Sequence, residues 1–244
     1  MSSIIEMINV NFIAQGKKLV KNVSLCFEEG KAVALIGPSG CGKSTVLKLA
    51  AGLLPPDQGE VLFRGRSIAR MGRIENLLFR REAAVVFQDS ALWANQNLFQ
   101  ILELPLKVHF PSMAKTEREQ RIEAVVAEVG YKKGLGIRPA QLSMGEQKLL
   151  GFARALLCRP RLLYLDEWTE SLDPNASQRL VNLVKKYKEE GVSVILVTHD
   201  MAIIHELSDI TVMILGGQIF LRVTREQIAG DEDLSLYIER GMAS

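Results

Sequence analysis

Short apolar runs alternate with amphipathic stretches along much of the chain. That pattern predicts an α/β fold with a largely parallel sheet. Residues 32–36 form an unbroken apolar run of strand length, residues 162–165 form another, and residues 192–198 are a third, mostly apolar stretch. Each reads as a strand buried on both faces. A Gly-rich loop follows the first run, and a helix is expected from Lys43 to about Ala51. Between the other two runs, Asp173-Pro174 opens a helix, with Pro suited to the first helical position. Ala176, Leu180, Leu183, Val184 and Tyr187 share one face of it, and Gly191 ends it.

The N-terminal pattern differs. Residues 4–10, 23–27 and 61–63 look like strands without intervening helices, so a small antiparallel sheet is expected beside the parallel one. Residues 88–159 read as mostly helical and interrupt the strand pattern, as an inserted lobe would. Thr116 and Glu119 suit a capping box ahead of Ile122, Val125, Val126 and Val129. Residues 210–215 and 218–223, joined by Gly216-Gly217, read as a hairpin. From Arg225 onward the chain reads as a polar tail with a final helix. The expected division is one domain over 1–244. Its core and β subdomain take 1–87 and 160–224, the lobe 88–159 and the tail 225–244.

Composition narrows the classes. Lys and Arg number 30 against 28 Asp and Glu, so no bulk charge points to a nucleic-acid partner. Cys26, Cys41 and Cys158 show no metal-binding spacing and read as reduced thiols. The N-terminus lacks the basic-then-apolar pattern of a signal peptide. No apolar run approaches the ~20 residues a membrane span needs, so a membrane role is expected to come through partners.

The strongest chemical signal is Gly37-Pro38-Ser39-Gly40-Cys41-Gly42-Lys43-Ser44-Thr45, a GxxxxGK[ST] P-loop. Its glycines let successive backbone N–H groups point at phosphate oxygens. The helix opening near Lys43 adds its positive end to the same place. Lys43 is expected on the β- and γ-phosphates of ATP, and the Ser44 hydroxyl on Mg²⁺. Because Cys41 lies near that helix end, its thiolate is expected to be favoured. A second signal is the apolar run ending in Asp166-Glu167. At the carboxyl end of a parallel strand, Asp166 can hold Mg²⁺ through water, and Glu167 can polarise an attacking water.

With both signals in place, the chain resembles the ABC ATPases over nearly its whole length. Leu142-Ser143-Met144-Gly145-Glu146-Gln147 is similar to the family's LSGGQ signature, with Met144 at the first Gly of the pair. Ser143 is also a good N-cap, and Glu146 completes a capping box. The resemblance implies roles for several residues. Gln88 is similar to the Q-loop glutamine, a Mg²⁺ and water contact. Ser171-Leu172-Asp173 is similar to the D-loop, His199 to the switch histidine at the γ-phosphate, and Phe12 to an aromatic that stacks on adenine. The implied fold is a P-loop NTPase, a RecA-like parallel-sheet core with an N-terminal antiparallel β subdomain and the inserted helical lobe. The implied mechanism is a head-to-tail dimer of this chain, in which Ser143 and Gly145 complete the partner copy's ATP site. Trp168 stands where the family usually has Pro, and is expected to shift the Glu167 carboxylate and slow hydrolysis.

The stretch from Phe87 to Trp93 and the later Leu104-Pro105-Leu106-Lys107 are similar to ATPases of Mla-type phospholipid transporters. That likeness implies integral membrane permease subunits, a lipid-binding periplasmic component, and a place on the cytoplasmic side of the inner membrane. Trp93, Leu98 and Phe99 are expected to line a groove for a permease helix. A lipoprotein-release, cell-division or other non-transport ABC ATPase is the alternative. Against repair ATPases, no long coiled coil separates P-loop from signature; against translation factors, the chain carries one cassette.

Overall fold

The computed structural model describes residues 2–243. The chain opens with a long hairpin, β1 (Ser3–Ala14) and β2 (Lys17–Glu28). It then crosses to a second sheet as β3 (Ala32–Ile36) and runs on as α1 (Lys43–Ala50). It returns to the first sheet as β4 (Gln58–Phe63) and the two-residue β5 (Arg66–Ser67). These complete an antiparallel sheet of order β2-β1-β4-β5.

Next comes α2 (Arg73–Glu82), a helix not anticipated from the sequence. Ile74, Leu77 and Leu78 share one face at helical spacing but are exposed, and only Phe79 of α2 is buried. It leads into β6 (Ala83–Val86). The chain then leaves the sheet for α3 (Leu98–His109), α4 (Lys115–Glu128) and α5 (Met144–Leu156), and returns as β7 (Leu162–Asp166), the parallel neighbour of β6. After β7 follow α6 (Pro174–Glu189), β8 (Ser193–Val197), α7 (Met201–Leu207) and the antiparallel pair β9 (Ile210–Leu215) and β10 (Gln218–Thr224). The second sheet has the order β10-β9-β3-β8-β7-β6 and is parallel from β9 to β6.

Alternation along the parallel strands feeds two cores. Ala34, Leu163, Leu165 and Leu196 face the helical lobe, α6 and α7. Leu35, Leu162, Tyr164 and Ile195 face α1 and the antiparallel sheet. Both faces are covered, which is why these runs are continuously apolar.

Two expectations are corrected. The α4 helix begins at Lys115 with Ala114 at its N-cap and no side-chain cap, so Thr116 and Glu119 form no capping box. Arg118 explains the earlier start. Its Nε donates to the buried Glu103 at 2.9 Å and its guanidinium also reaches the Met113 carbonyl, pinning the first turn. The C-terminal stretch is also not simply a polar tail. It forms α8 (Arg225–Ala229) and α9 (Glu232–Ala243), and buries Ile228 and Ile238 in the larger core.

Candidate active site at the carboxyl edge of the parallel sheet

Strand β3 is fully buried and delivers the chain to the loop at residues 37–42. Gly37 and Gly42 adopt φ values of 139° and 108°. A Cβ on Gly37 would lie 2.2 Å from the Ile214 carbonyl oxygen, and one on Gly42 2.8 Å from that of Leu19. Both positions therefore demand glycine on conformational and steric grounds. Lys43, first residue of α1, is buried, and its Nζ donates to the carbonyls of Gly37 at 2.7 Å and Pro38 at 2.9 Å. The cation is thus folded back over the loop it would share with a phosphate. Tyr164 Oη donates to the Ala50 carbonyl at 2.8 Å and locks α1 onto β7.

That locking sets Ser44 against the acidic strand. Ser44 Oγ donates to Asp166 Oδ1 at 2.8 Å, and Asp166 is buried. Glu167 follows in a left-handed conformation, φ 46°, which costs about 1 kcal/mol or more for a residue other than glycine. Burial, then the neighbouring Asp166 charge, push its carboxyl up to about 7, with Lys43 acting in the opposite sense. His199 Nε2 lies 3.2 Å from Glu167 Oε1. Burial and then Lys43 hold the imidazole below its ordinary range. A carboxyl raised to about 7 and an imidazole held below its ordinary range therefore share one contact, an arrangement suited to acid–base chemistry.

Gln88 joins the same cleft and donates from Nε2 to Glu170 Oε2 at 2.9 Å. Met144 also lines this cleft and is largely exposed, so its side chain projects at the mouth of the chain's own acidic site. Ser143 caps α5, accepting from the Glu146 N–H at 3.2 Å, while Glu146 reaches back to the Ser143 N–H at 3.0 Å. Ser143 and Gly145 stand outside the cleft, and so does Asp173, whose carboxylate caps α6 by accepting from Ala176 N–H at 2.9 Å. Phe12 is half-buried on β1 opposite Val20, next to the Leu19 carbonyl that abuts Gly42. Trp168 is buried in the larger core.

Two expectations fail here. Cys41 is pushed up, not down, because burial outweighs the nearby Lys43 charge. Of Trp93, Leu98 and Phe99, Leu98 is a core residue at 1% exposure and Phe99 packs against the same core. Trp93 alone faces the groove between lobe and core, with Leu53, Leu104 and Val108.

Sequence reasoning also passed over Lys148. It is 4% exposed, and its Nζ donates to the Glu167 carbonyl at 2.7 Å and lies 4.0 Å from Glu170. Burial pushes its pKa down, and the surrounding acids pull it back up. A signal was available: Lys148 shares the buried face of α5 with Phe152 and Ala155, where a lysine is out of place.

A buried P-loop strand, a Gly-rich loop opening a helix, and an acidic strand end beside it define a P-loop NTPase. The sequence matches the ABC transporter family over residues 20–170, and the chain belongs to that family. It is similar to the nickel import ATP-binding protein NikE of Shigella flexneri serotype 5b, with 36% identity over 89% of this chain and 81% of that one. NikE of Escherichia coli O6:K15:H31 is 35% identical over the same shares. A dimeric bacterial ABC transporter cassette superposes with a TM-score of 0.83 at 28% identity, covering 91% of this chain and 98% of that one. A related cassette dimer in a post-hydrolysis state with ADP and Pi gives 0.84 at 27% identity over the same shares. The chain is therefore an ATP-binding, ATP-hydrolysing subunit of the ABC class, whose members pair as dimers and work with membrane permeases. Among the described residues, no helix is long and apolar enough to cross a membrane.

Proposed function

We propose that this chain is the motor of a separate membrane permease, and that two copies, head to tail, trap ATP between the P-loop of one and Ser143 and Gly145 of the other. The observation that carries the reading is the pairing of Glu167 with His199 beside the Ser44–Asp166 contact.

In this reading the loop from Gly37 to Thr45 wraps the phosphates with backbone N–H groups, Ser39, Gly40 and Cys41 among the donors, while Pro38, which has no N–H, shapes the turn. Lys43 exchanges its loop carbonyls for phosphate oxygens. Ser44, Asp166 and Gln88 form an oxygen donor set that fits Mg²⁺, a hard cation. When bound, Mg²⁺ neutralises charge on the β- and γ-phosphates. Glu167 orients and deprotonates the attacking water, and His199 steadies the γ-phosphate side of the carboxyl. Phe12 packs on the adenine, and Asp173 lies at the seam between copies. The γ-phosphate gives two helix N-termini a shared anion, and its loss lets the pair open.

The permease docks in the groove at Trp93, from the cytoplasmic face of the inner membrane. The likeness to Mla-type ATPases favours a phospholipid cargo with a lipid-binding periplasmic component; the NikE relatives carry the second reading, a metal ion. The test is affinity purification from detergent-solubilised membranes. A co-purifying multi-spanning protein is expected, with Mg-ATP turnover lost in Lys43→Ala. Turnover raised by phospholipid supports the first cargo, and turnover raised by Ni²⁺ the second. A chain that captures no membrane protein and turns over ATP without Lys43 sinks the reading.

A further inference from the structure

The opposite edge of the parallel sheet carries a second, basic cleft. The chain enters β3, β6 and β7 there, past Glu29, Glu82 and Arg161. With the end of α5 and the turn after α3, these residues enclose about 700 Å³. Five arginines and two glutamates line the space, a formal charge of +3.

Both glutamates are already engaged. Arg64 bridges them, reaching Glu29 and Glu82 at 2.8 Å each. That leaves Arg81, Arg121, Arg159 and Arg161 without a salt-bridge partner among the described residues. Arg81 and Arg121 both lie over the Phe110 ring, 5.7 Å and 5.2 Å from its centroid, which fixes two guanidiniums in place. Glu117 lies close enough to favour the Arg121 charge, but Arg159 opposes it more strongly. Glu128, in the adjoining depression, is held by Lys186 at 3.1 Å. His109, beside Arg81, is held below its ordinary range by burial and by that charge, which disfavours a further positive charge there.

Arg159 supplies a separate observation. It sits just past α5 in the left-handed region, φ 50°, where helices usually place glycine. A long cation at a position that favours glycine, beside other unpaired cations, raises the folded state's energy twice over. Such an arrangement is stabilised by an anion, and guanidinium forks match phosphate oxygens in pairs.

We propose that this cleft binds a multiply charged phosphate group, carried by a soluble phosphorylated molecule or by an anionic lipid headgroup. It is separate from the nucleotide site, because none of its lining residues lines the acidic cleft. Its size suits a compact ligand.

The full-length protein is tested in a Lys43→Ala background, which weakens phosphate binding at the P-loop, so that the cleft variants report on the second site. Tripolyphosphate is titrated by calorimetry, and phosphatidic acid vesicles, whose phosphomonoester headgroup can carry more than one charge, by co-sedimentation against phosphatidylcholine vesicles. Binding to either probe is expected at physiological salt. The double variant Arg159→Glu/Arg161→Glu changes two exposed side chains and should weaken it tenfold or more, about the loss of one or two charge-assisted hydrogen bonds. Arg81→Gln is the second variant, and Lys17→Glu, on the distant hairpin, should change nothing. Binding of tripolyphosphate alone identifies a soluble ligand, and of vesicles alone a headgroup. No binding of either probe, binding indifferent to both cleft variants, or equal binding of hexaglutamate overturns the proposal. Because Lys43 is absent throughout, ATP turnover neither supports nor damages this result.

Discussion

The two edges of one parallel sheet carry opposite electrostatic problems. At the carboxyl edge, Asp166 and Glu170 share a cleft with Ser44 and Glu167 adjoins them, and two buried cations, Lys43 and Lys148, donate to backbone carbonyls. Burial first, and then the Asp166 charge, raise the Glu167 pKa, so excess negative charge can be relieved there by protonation. At the amino edge the excess is positive and made of guanidiniums, which cannot give up a proton near neutral pH. One edge can titrate; the other can only bind a counter-ion. Acid–base chemistry belongs to the first edge and anion binding to the second.

The largest expected effect falls on the carboxyl edge. Glu167→Gln should lower ATP turnover by ~10²–10⁴-fold while leaving ATP affinity intact and prolonging the nucleotide-bound dimer. Single-turnover hydrolysis and sedimentation with Mg-ATP check this. Turnover within about twofold of the parent removes Glu167 from the chemistry.

Next comes a pH effect confined to that edge. The Glu167 carboxyl, pushed up from 4.5 to about 7, holds its proton more tightly in the folded chain than in the unfolded one. Its contribution is complete below pH 4.5 and is lost as pH rises through about 7. The whole window is worth on the order of 3 kcal/mol at most. His199, held below its ordinary value, works the other way as pH falls, so wild type must be compared with Glu167→Gln. Urea midpoints of the nucleotide-free protein should fall from pH 5 to pH 8, and the variant should flatten the curve. Parallel curves for the two proteins would mean that Glu167 does not carry the charge strain.

A third test separates Lys148 from ordinary packing. Lys148→Met keeps the volume but removes the shorter of the two hydrogen bonds to the Glu167 carbonyl, leaving only the Glu170 N–H at 3.3 Å. Loss of that bond should cost about tenfold in kcat with nucleotide affinity nearly unchanged, and Lys148→Arg should restore part of it. Arg161→Met, at the amino edge, should alter neither constant. Equal losses of kcat and affinity would reduce Lys148 to a structural residue.

The contrast also explains what the sequence made legible. The carboxyl edge is built from contiguous strings, residues 37–45, 142–147 and 166–167, each tied to a strand end or helix start. Strand runs, P-loop and hairpin could therefore be read directly. Lys148 escaped because burial of one lysine depends on tertiary packing around α5. The α2 helix escaped because its side chains make almost no core. At the amino edge, residues 64, 81, 121 and the pair 159 and 161 come from four separate places in the fold, and no local pattern joins them. Spacing can reveal a cradle made by one loop, but not a cluster assembled by topology.

The smallest expected effect is also the one whose sign is least intuitive. Arg159→Gly should stabilise the protein, by about 0.5–1 kcal/mol. A left-handed backbone costs an ordinary residue about 1–2 kcal/mol, and glycine is free of that cost. Against this, a cation at a helix C-terminus gains about 0.3–1 kcal/mol from the helix dipole, and that is lost. Removing the Arg159 charge also relieves Arg121, whose protonated form it disfavours. The two gains outweigh the one loss at low salt, and the margin should narrow as salt screens the charges. Chemical denaturation at low and high ionic strength measures both. The same variant should bind tripolyphosphate more weakly, so stability and affinity move in opposite directions. If Arg159→Gly destabilises the chain, the amino edge is an ordinary solvated surface and its likeness to a binding site is lost.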